Sequence, residues 1–210
     1  MVRWLAIPLC LALAWLAYTL SPLWSLYDLA QAVRRHDTAY VETHVNFRTL
    51  RLSLVRQITA AMRTAAETDT DLEPRDRQRL NDAAYGLALA LSETMVTPDT
   101  VIDLLANGWP DKLDVERPAG ARPQGLAIRN VDRLLPFYAA LEMRGFRAVV
   151  IPIPPDAPRA ERTRIRLRLR GLSWRLVDIE MADTLRQQIA TKLSRALARA
   201  KIGASAGEER

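Results

Sequence analysis

Among 210 residues the chain has one cysteine, two histidines and three lysines. Cys10 alone cannot form an internal disulfide, and two imidazoles with one thiol make no zinc cluster. With only His36 and His44 available, most metal-centred and triad chemistry is excluded. No G-x-S-x-G, P-loop or dinucleotide fingerprint occurs, so no cofactor is expected. No segment of about 20–50 residues repeats. Lysine is confined to Lys112, Lys192 and Lys201, so the net charge of +6 is carried by arginine. Codon composition alone can produce that bias, and it carries no functional weight here. Charged residues are 26% and hydrophobic residues 49% of the chain, which excludes both wholesale disorder and a multi-span membrane protein. The length suits one globular domain with an appendage.

The appendage is the first segment. Residues 4–20 contain no charge, and as a helix this run is about 26 Å long, near the thickness of a bilayer's hydrocarbon core. Pro8 sits in the second turn, where a missing N–H costs least. Trp4 at one end and Tyr18, Trp24 and Tyr27 at the other resemble interfacial aromatic belts. An uncleaved signal anchor over residues 1–21 is expected. A cleaved signal peptide using Ala12-Leu13-Ala14 leaves a very short apolar region, and a buried helix rarely lacks charge for so long. Leu9 before Cys10 argues against a lipoprotein. Arg3 on one flank, against Asp28 ahead of Arg34 and Arg35 on the other, places the bulk of the chain outside the cytoplasm. In a bacterium this means a single-pass inner-membrane protein with a periplasmic body.

Residues 22–202 are expected to form a single α+β domain: helical over 22–108, a loop over 109–125, mainly β over 126–181 and a helix over 182–202. A tail over 203–210 frays. Leu23, Leu26, Tyr27, Ala30 and Val33 mark one helical stripe. Asp37 is an N-cap for a short helix through Val45, with Tyr40 and Val41 inward. Phe47, Leu50, Leu54, Ile58 and Met62 continue on a longer helix. After a polar loop over 68–77, a further helix runs from 78 to 95 with Leu80, Ala84, Leu87 and Leu91 on one side. Thr97-Pro98-Asp99 starts another, as cap, first helical residue and dipole partner, which stops at Asn107-Gly108.

Beyond the loop the period changes to two. Alternation of Phe137, Ala139, Leu141 and Met143 predicts a strand that turns at Arg144-Gly145 into a second strand over 146–153. Arg164 to Arg170 is a third, and Gly171-Leu172 a tight hairpin turn into a fourth ending at Met181. Pairing Leu169 with Trp174 and Leu167 with Leu176 puts these side chains on one face. A bulge near Val177-Asp178 then returns Ile179 and Met181 to that face. Leu185, Ile189, Leu193 and Leu197 align on the last helix. Helices first and strands after predict an N-terminal transmembrane helix, then a helical half packed on a C-terminal antiparallel meander with a closing amphipathic helix.

The post-membrane helix, the Asp37…Tyr40-Val41…Val45-Asn46-Phe47 segment, Val96-Thr97-Pro98 and the run GLSWRLVDIEM over 171–181 together resemble a bacterial family of unknown function, DUF2939. The resemblance implies a membrane-tethered domain without an established activity. The late hairpin is also similar to the nuclear-transport-factor-like α+β roll, from which the long helical front half and the proline-rich 109–125 stretch depart.

The distinctive surface feature is the arginine strand. Arg164, Arg166, Arg168 and Arg170 share a face, with Arg175 across the hairpin, and such a ridge attracts anionic envelope components. A solvated strand face that resists aggregation, neutralised by Asp178 or Glu180, explains the same pattern. The last helix carries Arg186, Lys192, Arg195, Arg199 and Lys201, which suit either an anionic lipid surface or plain solvent. Tyr138, Leu167 and Trp174 are candidate pocket lining by analogy with the roll. His36 and His44, near Asp28, Asp37 and Glu42, are an acid–base set in principle, although Asp37 already serves as a cap. The expectation is a noncatalytic ligand- or protein-binding module at the membrane, with no nucleic acid partner. The alternatives are a small-molecule hydrolase or isomerase using a pocket carboxylate, and an adaptor that oligomerises through its apolar stripes.

Overall fold

The computed structural model describes residues 2–68, 74–108, 125, 126, 128, 130 and 133–192. The expectations for the loop over 109–124, for Leu193 and Leu197 and for the 203–210 tail lie outside these residues.

Helix α1 (Val2–Arg35) is continuous through Pro8 and Pro22 and about 51 Å long. None of residues 7–20 is buried, and Ile7, Leu11 and Trp15 are each at least 60% exposed. From there on the same helix buries Leu23, Leu26, Leu29, Ala30 and Val33 at the three-and-four spacing of one face. It is the one described helix long and apolar enough to cross a membrane.

His36 adopts a left-handed backbone (φ 52°), and the Asp37 N–H returns to the Ala32 carbonyl at 2.9 Å, closing α1. The Asp37 carboxylate then accepts the Tyr40 N–H at 2.9 Å and starts α2 (Thr38–His44), which buries Val41 completely. Asp37 thus ends one helix with its backbone N–H and begins the next with its side chain. Helix α3 (Phe47–Thr68) is capped by Asn46, which accepts the Thr49 N–H. It packs along α4 (Pro74–Met95), whose small buried Ala84 and Ala88 allow close approach. The polar loop expected over 68–77 does not take in either end of that span. Thr68 and residues 74–77 are helical, because Pro74 fits the first helical position without a lost hydrogen bond. Helix α5 (Pro98–Asn107) has Thr97 as its cap and Gly108 at φ 69° as its left-handed stop. Gly125 crosses back over α5. A Cβ there would lie 1.7 Å from the Ala106 carbonyl oxygen, and the next N–H, of Leu126, donates to the Leu105 carbonyl.

The strand expected over 137–143 is instead helix α6 (Leu134–Ala140), so 126–181 is less β-rich than the alternation implies. Leu134 and Phe137, three apart, are the buried pair. The segment has no β-branched residue, and Pro136 falls in the first turn, where its missing N–H is harmless. Only Glu142–Met143 remains extended, as β1.

With β2 (Ala148–Ile153), β3 (Thr163–Arg170) and β4 (Ser173–Glu180), β1 forms one sheet ordered β1-β2-β3-β4, antiparallel throughout. Gly171 (φ 63°) makes the hairpin turn. Leu169 pairs with Trp174 and Leu167 with Leu176, whereas Arg166 pairs with Asp178. Val177 is therefore the extra residue of the expected bulge, and Ile165 faces Ile179 on the core side. Residues 183–192 form a closing helix, α7, which buries Leu185 and Ile189. The fold class is α+β.

The outer edge of β4 is not left open. Val45 makes a parallel bridge to Leu176, and the Asn46 N–H donates to the Leu176 carbonyl at 2.8 Å. Thr49 Oγ1 donates to the Val177 carbonyl, and Ser53 Oγ to the Asp178 carboxylate. Gln57 donates to the Ile179 carbonyl at 2.8 Å and accepts the Met181 N–H at 2.9 Å. Positions 49, 53 and 57 lie on one face of α3, so with the Asn46 cap a polar helical stripe takes the place of a fifth strand and protects the edge.

Candidate functional site

A cleft of about 490 Å³ opens where α1, α2 and the tip of the β3–β4 hairpin meet. Helix α1 contributes Ala17, Leu20, Ser21, Trp24, Ser25 and Asp28; α2 contributes Tyr40 and His44; the hairpin contributes Leu172, Ser173 and Trp174. Its volume is within the usual range for small-ligand sites.

Local bonds hold the walls. Trp174 alternates with exposed Ser173 and Arg175 and so points to the core side. There its indole Nε1–H donates to Ser21 Oγ at 2.8 Å. Ser25 Oγ donates to the Trp174 carbonyl at 3.4 Å, so the hairpin is tied to α1 at two successive turns. On the opposite wall the rings of Tyr40 and His44, four apart on α2, stack at 3.9 Å and 9°. His44 Nδ1 lies 2.9 Å from Thr43 Oγ1 and 3.0 Å from the Tyr40 carbonyl, which fixes the imidazole against the tyrosine. Burial, together with the nearby carboxylates of Asp28 and Asp37, pushes the Tyr40 phenol up to about 12, so it stays a neutral donor at physiological pH.

Among the described residues that line the cleft, Asp28 is the single acid and none is lysine or arginine. Three aromatic residues (Trp24, Tyr40 and Trp174) line the same cleft as this carboxylate, a composition that suits an ammonium group, which gains from ring quadrupoles as well as from charge.

Of the residues singled out in the sequence, Trp174, Asp28 and His44 meet in this cleft. Tyr138 is on α6 and exposed, and Leu167 is fully buried in the core; neither lines it. His36 is exposed in the turn after α1, and Asp37 is occupied as a cap. Tyr40 was legible only as an inward residue, and Ser21 and Ser25 carried no signal, because their roles depend on a strand some 150 residues away.

The arginine strand divides along its length. Arg164 is buried and bonded to Glu142 at 2.9 Å and Glu180 at 3.1 Å. Arg166 reaches Asp178 at 3.6 Å. Arg168, Arg170 and Arg175 are exposed and have no ion-pair partner among the described residues. On α7, Arg186 pairs with Asp183. No group of acidic, His and Cys side chains suited to a metal occurs among the described residues.

The model of a family described as protein of unknown function (DUF2939) matches residues 11–104, in agreement with the family resemblance. The match takes in α2, the Val96-Thr97-Pro98 cap and the α1 and α2 walls of the cleft. The GLSWRLVDIEM run, and with it the hairpin wall, lies beyond the matched residues. No curated protein and no solved structure matches the chain.

Proposed function

From a chain whose first half carries that family pattern, we propose a noncatalytic binding module tethered to the bacterial inner membrane by residues 2–20, with its body in the periplasm. Its ligand carries an ammonium group and enters the cleft between α1, α2 and the hairpin. The observation that supports this reading best is the division of α1. A continuous helix exposes apolar side chains over 7–20 and then becomes a core helix from Leu23. Only 17% of its most apolar stretch is buried, which is the pattern expected when lipid, not protein, covers the first half. The cleft begins at Ala17 and Leu20, at the level of the lipid–water boundary in this arrangement.

The tether is tested by alkaline extraction and flotation of full-length protein. Retention with the membrane is expected, and recovery in the supernatant with residues 1–20 still attached overturns it. A C-terminal reporter active only in the cytoplasm would overturn the orientation. For the cleft, Trp24 and Trp174 are intrinsic probes. Choline or ethanolamine is expected to give a saturable change in tryptophan emission that Asp28→Asn abolishes. No saturable change, or turnover of a substrate that His44→Ala removes, rejects the noncatalytic cleft.

A further inference from the structure

We infer that the hairpin end of the sheet is a second membrane contact, which docks the body on anionic lipid beside the emerging α1. This rests on the membrane reading above and adds to it a lipid class and a surface.

Position is the first ground. Trp174 is bonded to Ser21 and Ser25, and Leu172 and Ser173 share the cleft wall with Ala17 and Leu20. The turn at Gly171-Leu172 therefore lies at the height of α1 where its exposed apolar stretch ends. From there β4 passes Val45 and Asn46 on its way to the other end of the sheet.

Charge is the second ground. Five arginines occupy the outer face of β3 and β4, yet the acids Glu142, Asp178 and Glu180 are all drawn to Arg164 and Arg166, at the end far from the turn. Arg168 and Arg175 face each other across the hairpin, and Arg170 lies next to the turn. The uncompensated charge is thus concentrated at the hairpin end, where Trp174 is bonded to Ser21 and Ser25. A ridge that served only to discourage strand pairing would have no reason to be neutralised at one end alone.

Exposed apolar side chains at the same end are the third ground. Leu172 is fully exposed at the turn and Phe146 is 75% exposed. The Leu169 N–H donates to the Arg147 carbonyl, which continues the β2–β3 register and sets Phe146 level with Arg170. An apolar tip between arginines is the chemistry of an interfacial contact: the guanidinium groups take lipid phosphates and the leucine and phenylalanine enter the headgroup–acyl boundary. Each basic residue at an anionic surface contributes roughly fivefold, so these three arginines together shift the docked-to-undocked ratio by about a hundredfold.

The test uses the full chain with Cys10→Ser and Leu172→Cys, labelled at the new thiol with an environment-sensitive fluorophore. It is reconstituted into phosphatidylcholine vesicles with and without phosphatidylglycerol. Flotation with both vesicle types is expected, together with blue-shifted probe emission only where phosphatidylglycerol is present. Added salt, or the combined Arg168→Gln, Arg170→Gln and Arg175→Gln substitutions, should reverse that shift; these side chains are exposed and outside the core. If the protein floats with both vesicle types but emission ignores lipid charge, or the triple variant behaves as the parent, the docking proposal fails while the tether stands. A protein that floats with neither overturns the tether and the docking with it. If a soluble polyanion produces the shift on phosphatidylcholine vesicles and phosphatidylglycerol does not, the surface serves an acidic polymer, and the lipid assignment is wrong.

Discussion

The two halves of α1 belong to one continuous helix, and they meet opposite fates. Between residues 7 and 20 the leucines and tryptophan are exposed all round; between 23 and 33 leucine, alanine and valine are buried on one face while Trp24 and Arg34 stay out. Residues 7–20 carry no charge, whereas the second half carries Asp28, Arg34 and Arg35 and gathers its apolar side chains on one face. Helix α1 meets α2, α5, α6 and β4, and from residue 7 on its buried side chains all lie in the second half. A helix that is apolar on every side has no preferred face to bury in protein, and lipid is the solvent that suits it. A helix with one stripe is a core element whatever precedes it.

Substitutions that separate the halves test this contrast. Leu26→Ala, at a fully buried site, is expected to cost about 2–5 kcal/mol in chemical denaturation of the detergent-solubilised chain. Leu13→Ala should leave that midpoint unmoved; an equal loss from both would mean that residues 7–20 belong to the core. The next largest effect is expected at the sheet edge. Gln57→Leu leaves the Ile179 carbonyl and the Met181 N–H without their partners and should cost about 1–3 kcal/mol. A value near zero would show that α3 does not seal β4.

Where the halves of α1 join, Trp174→Phe keeps most of the packing but loses the bond to Ser21, at a cost of about 0.5–1.5 kcal/mol. Ser21→Ala leaves the indole N–H unpaired and should be at least as damaging by the same measurement. The smallest effect is a dependence on alkaline pH. Because the Tyr40 phenol is held at about 12 against 10.0 when free, the folded state retains a proton that the unfolded state loses. The associated stability is complete below pH 10 and declines as pH rises toward 12. Absorbance titration, with Tyr40→Phe as the difference spectrum, should show one late-ionising tyrosine, and Asp28→Asn should bring it down. Ionisation together with an ordinary tyrosine would remove Asp28 from the cleft's electrostatics.

Much of this was legible in the linear chain wherever the determinant was local. Asp37 and Thr97 cap because their side chains reach an N–H three residues on. Gly108 and Gly171 stop or turn the chain because they take positive φ. The Val177 bulge followed from alternation alone, since without it Asp178 would face the core. The strand expected over 137–143 failed for the converse reason. Phe137, Ala139 and Leu141 fit a period of two, while Leu134 and Phe137 fit a helical face equally well, and seven residues are too few to decide between them. Likewise Asn46, Thr49, Ser53 and Gln57 fall outside the apolar stripe of Phe47, Leu50, Leu54, Ile58 and Met62, and nothing in their spacing announces a strand edge as their partner.

What the sequence determined by itself was the apolar first segment, the helix boundaries set by caps and glycines, the hairpin register and the α+β class, all products of contacts within a few residues. The tertiary structure alone decided that the polar stripe of α3 closes the sheet, that Asp28, Tyr40, His44 and Trp174 share a cleft, and that acids neutralise one end of the arginine strand and leave the other bare. These depend on residues brought together from distant parts of the chain. Such meetings are set by how whole elements bury their apolar faces against one another, and no local pattern encodes them.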